Sequence, residues 1–368
     1  MNSTTTPKFD HPLGIDIGGA NIKLSDGKDF SHHEPFAIWQ NLEHLTSKLS
    51  HLLSVAPSHD AVIVTMTGEL SDCFPNKRVG VEYICDAICE ASNSIVQFYL
   101  LDGQCVDSAQ AKSNFKLAAA SNWHALTSHV AKSIAKDDSG LLIDIGSTTT
   151  DLIPFHRGQV VATGTDDFGR LTNHELVYTA TIRTNLAGIV REVIHRGMPV
   201  PVMNEMFATT LDTNIVLGHL PAGTNQHYAS DGEPTQSTDC VRRMARLIGK
   251  DELTFDIEDA REMAEQIFER QVKIIFDAAL NILSAHQFDN LHLVTSGQGE
   301  FLAKAVVERI MASQTVDDIP VRTTSLNNQV NPGQSSCATA WSLANLARVD
   351  SVDKPIGQSS TSQGALHR

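Results

Sequence analysis

Asp16 and Asp144 each sit in an Ile-Asp-Ile-Gly run that closes an apolar stretch and enters a polar turn. The first turn is Gly18, Gly19, Ala20 and Asn21; the second is Gly146, Ser147, Thr148, Thr149 and Thr150. Another apolar stretch follows each turn, so both segments read as β-hairpins. Glycine permits close backbone approach, and successive turn N–H groups form a concave donor site for an anion. The hydroxyls of Ser147 and Thr148 to Thr150 add donors, and Lys23 adds positive charge beside the first turn. Two carboxylates facing a phosphate repel it unless a cation lies between them. Asp16 and Asp144 are therefore read as ligands of a Mg²⁺ held mostly through water, because Mg²⁺ dehydrates reluctantly. One Asp-x-Gly-Gly turn is an ordinary hairpin feature. Its repetition is what points to two related lobes closing on one phosphorylated ligand.

A third segment, Leu291 to Val306, reads as strand, glycine turn, helix, with Gly297 and Gly299 in the turn. The N-terminus of such a helix directs free N–H groups at an anion. It is not a Walker A loop, since no Gly-Lys-Ser/Thr follows, and it lacks the third glycine of a dinucleotide fingerprint.

These turns need a frame. The pattern of the first lobe, placed at 13–138, is β-β-β-α-β-α-β-α. Its strands are expected at Leu13–Ile17, Asn21–Ser25, Phe36–Trp39, Asp60–Thr67 and Val96–Leu101. Its helices are expected at Leu42–Val55, at Val79–Ser92 and over most of 106–134. The second lobe, 139–348, restarts at Leu141 with the same hairpin and a next strand at Gln159–Gly164. Residues 165–250 read as a loop-rich insertion. A long helix (256–287), a strand (291–295), a helix (300–312), a strand (321–326) and a closing helix (335–347) follow. Residues 1–12 and 349–368 read as disordered tails. The fold class is α/β.

The chain of 368 residues can bury two cores. Its net charge of −15 argues against nucleic-acid binding and against an anionic membrane surface. An acidic protein that takes an anion must concentrate cations locally or recruit a metal, which fits the aspartate pair. The N-terminal stretch lacks an apolar signal core and no run is long enough to span a bilayer, so the expected location is cytoplasmic. The six cysteines are then free thiols, and no Cys-x-x-Cys pair marks a zinc site.

The two hairpins and the Ser-Gly-Gln-Gly turn resemble the phosphate-1, phosphate-2 and adenosine-type motifs of the actin/hexokinase/Hsp70 superfamily. This implies two ribonuclease-H-like lobes around a central cleft. The second hairpin resembles the hydantoinase A/oxoprolinase group. The stretches 64–74 (VTMTGELSDCF), 120–126 (ASNWHAL), 141–155 and 204–212 (NEMFATTLD) are similar to tetrahydromethanopterin-linked one-carbon pathway proteins. That group includes the furanmethanamine synthase of methanofuran biosynthesis.

The resemblance implies a transferase. It would join an (aminomethyl)furanmethanol diphosphate to the phenol oxygen of γ-glutamyltyramine, the aromatic amine acceptor, and release diphosphate. A phenol of pKa about 10 needs a base or a strong electrophile near neutrality. Glu69 and Asp72, in the loop after the strand ending near Thr67, are the candidate bases, with Lys23 as the catalytic cation. Trp123 reads as core. Arg183, Glu175 and Asp212 fall in the insertion expected to shape the acceptor pocket. Two rival readings are an ATP-using kinase or oxoprolinase-type hydrolase and a non-catalytic nucleotide-binding module. ATP is not the favoured cofactor, and a homo-oligomer is compatible with the sequence.

Overall fold

The computed structural model describes residues 7–224, 228–286, 288–313, 316 and 319–349. The strands are β1 (Pro12–Ile17), β2 (Asn21–Ser25), β3 (Ser31–Pro35), β4 (Ala61–Met66), β5 (Ile95–Tyr99), β6 (Cys105–Val106) and β7 (Ser139–Ile145). They continue with β8 (Thr150–His156), β9 (Gln159–Val160), β10 (Leu176–Val177), β11 (Glu192–His195), β12 (Met198–Pro201), β13 (Leu291–Ser296) and β14 (Val321–Ser325). One sheet has the order β3-β2-β1-β4-β5-β6 and the other β10-β8-β7-β13-β14, with β9 on the end of β8. In both, the first two strands form an antiparallel hairpin and the next two run parallel beside the first. Each lobe is therefore ribonuclease-H-like.

Every residue of β1 and β4 is buried, which is why both are apolar apart from Asp16 and Thr65. Leu45, Leu49, Leu52 and Leu53 of the helix Leu45–Val55 cover one face of the first sheet. The helices Ile257–Ala285 and Glu300–Met311 cover one face of the second. Asp256 starts the longer of these by accepting from the N–H groups of Glu258 and Asp259, a cap of about 1 kcal/mol. The helix Asn122–His129 lies between the sheets. Ala125 packs on Ala61 and Ile63, while Trp123 and Leu126 pack on Leu142, Ile153 and Phe155.

Several expectations change. The third strand is Ser31–Pro35, not 36–39, and its polar SHHEP sequence suits a sheet edge rather than a core. Of the strand expected at 159–164 only β9 forms, at one end of β8; the other end of β8 pairs with β10, which comes from the region read as an insertion. The insertion is more ordered than its composition suggests. It holds the helices Asp167–Thr172, Leu186–Ile189, Thr210–Val216 and Ser237–Arg246, the β11–β12 hairpin and its own apolar core on the long helix. The Ser237–Arg246 helix buries Cys240, Val241, Met244 and Ala245 together with Arg243, which is paired with Asp212 at 2.7 Å and Asp231 at 3.0 Å. Residues 1–6 and 350–368 of the expected tails lie outside the described residues. Residues 7–12 are not loose: Phe9 donates its N–H to Ala347 O and accepts from Val349 N–H.

The closing helix Ala338–Ala347 packs on the first sheet, not the second, with Leu343 and Ala347 against Ala61, Ile63 and Tyr99. Gly14 allows this contact, because a Cβ there would stand 1.9 Å from Ala340 O. Overpacking of that kind costs about 1–3 kcal/mol. Gly14→Ala should lower the free energy of denaturant unfolding by that much. Gly188→Ala, with nothing within 4 Å of its Cβ, should stay within about 0.5 kcal/mol.

Candidate active site

The two hairpin turns are built alike. Gly18 N–H closes on Asn21 O at 2.9 Å, and Gly146 N–H closes on Thr149 O at 3.0 Å. The carbonyls on each turn are taken from outside. Gly19 O accepts from Ile38 and Ala20 O from Phe36, both at 2.9 Å. Gly146 O accepts from Thr181, and Ser147 O accepts from the N–H groups of Ile182 (3.1 Å) and Arg183 (3.0 Å). Even the preceding residues match, with Ile17 O accepting from Thr67 and Ile145 O from Gly299. Among the described residues, nothing accepts from the N–H groups of Gly19, Ala20, Ser147, Thr148 or Thr149. Such unspent donors on a tight turn make an anion seat.

Both turns line one cleft of about 630 Å³, with Asp16, Lys23, Asp144, Ser71 and Asp72. Asp16 and Asp144 stand at matching places at the ends of β1 and β7, opposite Thr65 and Ser296 on the neighbouring parallel strands. The Thr65 hydroxyl donates to Asp16 at 3.2 Å. Burial raises the Asp16 carboxyl above its ordinary range. Burial, then the charge of Asp151, pushes Asp144 up to about 6. Across each hairpin the partner differs: Lys23 faces Asp16, whereas Asp151 faces Asp144. The Asp151 charge is taken by the buried Arg170, which also stacks on Trp123 at 4.4 Å.

Other predicted residues lie elsewhere. Thr150 is buried in β8, its hydroxyl donating to Thr179 O. Gly297 and Gly299 do not line the cleft; they brace the second turn. A Cβ on Gly297 (φ +88°) would meet Ile145 O at 2.3 Å, and one on Gly299 would meet the Ile145 side chain at 2.4 Å. Glu175 accepts from Thr163 and Gly164 N–H, and Asp212 caps its own helix, so both serve the frame. Trp123 is core. Sequence reasoning passed over Arg170, Asp167, Trp39 and Tyr178, which line the cleft, and left Arg183, also on the lining, without a role. The only signal was their position just after strands or turns.

Glu69 is also outside the cleft lining. Gly80 of the helix Lys77–Ala91 packs on its backbone, and the side chain is 1% exposed with neither oxygen hydrogen-bonded among the described residues. Burial pushes its carboxyl from 4.5 up to about 8. The carboxyl is thus mostly protonated at neutral pH and sealed off from the cleft, and of the two candidates only Asp72 lies on the cleft lining.

As for metal, Asp16 and Asp144 form no ion pair among the described residues. No cluster of three or more His, Cys, Asp or Glu among those residues could enclose a metal. Two buried carboxylates with raised proton affinity, open to a cleft, fit a cation that keeps much of its water, as Mg²⁺ does.

Residues 60–319 match the hydantoinase/oxoprolinase family. Among curated proteins, the chain is similar to the (4-{4-[2-(gamma-L-glutamylamino)ethyl]phenoxymethyl}furan-2-yl)methanamine synthase of Methanocaldococcus jannaschii. They are 31% identical over 299 residues, 80% of this chain and 88% of that protein. The synthase of the same name from Methanococcus vannielii is 25% identical over 186 residues, 50% of this chain and 82% of that protein. Among solved structures, the nucleotide-free acetone carboxylase aligns over 92% of this chain and 70% of its own, with TM-score 0.53 and 10% identity, a likeness of fold. No helix among the described residues is long and apolar enough to cross a membrane.

The Glu69 proton gives a stability test. A carboxyl raised from 4.5 to about 8 stabilises the fold fully below pH 4.5 and loses that contribution as pH rises through 8. Glu69→Gln keeps a neutral group of the same shape. Its melting temperature should match wild type at pH 4.5 and exceed it at pH 9; equal melting at both pH values would contradict the buried proton.

Proposed function

The chain belongs to the hydantoinase/oxoprolinase family, and on that premise we propose that it is a furanmethanamine synthase. It joins (aminomethyl)furanmethanol diphosphate to the phenol oxygen of γ-glutamyltyramine and releases diphosphate. The observation that carries this reading is the pair of matched turns whose free N–H groups open into one cleft.

In the transfer, the bond between the furanylmethyl carbon and the diphosphate oxygen breaks, and its electron pair leaves with the diphosphate. The furan ring spreads the positive charge left on the carbon. The phenol oxygen forms the new C–O bond, and its proton passes to Asp72, an exposed carboxylate on the cleft lining. The Gly19–Ala20 and Ser147–Thr149 amides and Lys23 stabilise the departing anion, as preorganised donors do. Asp16 and Asp144 would hold Mg²⁺, which when bound supplies further positive charge against the diphosphate. Trp39 and Tyr178, both exposed on the lining, offer flat faces to furan and phenol rings. The packing of Gly297 and Gly299 against Ile145 supports diphosphate over a nucleotide, since the third glycine turn is used to brace the second hairpin. All six cysteines are free thiols, which supports a cytoplasmic setting.

Purified chain with Mg²⁺, the furan diphosphate and γ-glutamyltyramine should release one diphosphate per ether formed. Steady ATP turnover without ether would overturn the transferase reading. Asp16→Asn and Asp144→Asn should each lose at least about 100-fold in kcat with no fall in melting temperature, because each removes a buried charge. Because protons compete for Asp144, the apparent Mg²⁺ affinity should fall as pH drops below about 6. Wild-type rates in both variants would remove the metal assignment.

A further inference from the structure

We propose that Arg183 binds the diphosphate leaving group, moving onto it from a resting seat between two aromatic rings. The inference rests on the diphosphate reading of the two turns and assigns a residue which that reading leaves without a role.

Three cations line the cleft: Lys23, Arg170 and Arg183. Lys23 faces Asp16 across the first hairpin, and Arg170 is committed to Asp151. Arg183 alone of the three has no carboxylate opposite it among the described residues. Its backbone is fixed to the second turn, where its N–H donates to Ser147 O at 3.0 Å. Its side chain extends toward the first turn. The guanidinium carbon lies 5.8 Å from the ring centroid of Trp39 and 5.8 Å from that of Tyr228. Both rings belong to the first turn's surroundings. Trp39 sits in the helix Ile38–Asn41, whose first N–H is bonded to Gly19 O, and the Tyr228 hydroxyl accepts from the Asn21 amide at 3.3 Å. Arg183 is thus rooted on one anion turn, with its charge held beside the other.

The chemistry of the group matches the ligand. A planar guanidinium presents parallel donors to phosphate oxygens, and such charge-assisted pairs exceed a ring contact in strength. A diphosphate lying on both turns would draw Arg183 off the rings. Charge build-up on the departing oxygens would strengthen the pair as the C–O bond breaks, so the contact lowers the barrier as well as aiding binding.

The test uses the full chain, titrated calorimetrically with inorganic diphosphate and Mg²⁺, with tryptophan emission followed in parallel. Wild type should bind diphosphate with a change in emission as Arg183 leaves Trp39. R183Q should bind about 10–100-fold more weakly, with kcat lowered and the KM for γ-glutamyltyramine little changed. R183K keeps the charge without the fork and should fall between. The emission change should vanish in W39F. Equal diphosphate affinity in wild type and R183Q would overturn the role of Arg183 and leave the transfer reading standing. A wild type that binds no diphosphate would overturn both. A raised KM for γ-glutamyltyramine in R183Q, with diphosphate affinity intact, would place Arg183 at the acceptor instead.

Discussion

The account depends on where the turn carbonyls point. In both hairpins the carbonyl groups are bonded from outside by other segments: 36–38 for the first turn and 181–183 for the second. A peptide whose carbonyl is fixed on one side has its N–H fixed on the other. Gly19 O thereby fixes the Ala20 amide, and Gly146 O and Ser147 O fix those of Ser147 and Thr148, a preformed donor set on the cleft lining, with the Gly19 and Thr149 amides beside it. Preorganised donors act on a departing anion without reorganising during the reaction, and this makes the arrangement useful for catalysis. The rest of the frame serves that bracing. The short helix Ile38–Asn41 reaches the first turn, the insertion brings 181–183 to the second, and Gly299 ties off Ile145.

Charge then decides what the array can hold. The chain carries −15 overall, and the cleft itself contains Asp16, Asp72, Asp144, Asp151 and Asp167. An anion enters only where these are offset. The two hairpins solve this differently at matching positions. The first places Lys23 opposite Asp16; the second places Asp151 opposite Asp144 and offsets Asp151 with Arg170 from a later helix. Burial first, and then the Asp151 charge, push the Asp144 carboxyl up to about 6, so negative charge remains costly there. The hydrated divalent cation proposed above would offset it.

Much of this was legible in the sequence because it is local. The repeated Ile-Asp-Ile-Gly run, the apolar strands and the turn glycines depend on residues near one another in the chain, and two related lobes follow from them; their ribonuclease-H-like form came from the superfamily resemblance. What escaped depends on distant partners. The closing helix has an apolar face that suits either lobe, and the packing of Leu343 and Ala347 on Ala61 and Ile63, with the approach of Ala340 to Gly14, assigns it to the first. The edge strand Ser31–Pro35 is polar and carries no strand pattern. Glu69 follows a strand as catalytic carboxylates often do, but Gly80 presses on its backbone and takes it out of the cleft. Gly297 and Gly299 look like a ligand turn and are a brace. Arg170 sits in the short helix Asp167–Thr172, and Arg183 in an irregular segment before the helix Leu186–Ile189, so neither is marked by a periodic pattern.

The most direct test of the two-turn site is an amide NMR titration of the isotopically labelled chain with inorganic diphosphate in the presence of Mg²⁺. The account predicts that the N–H resonances of Gly19 and Ala20, and those of Ser147 and Thr148, shift together along one saturation curve, because one ligand occupies both turns. Shifts confined to one hairpin, or two curves with different midpoints, would contradict it.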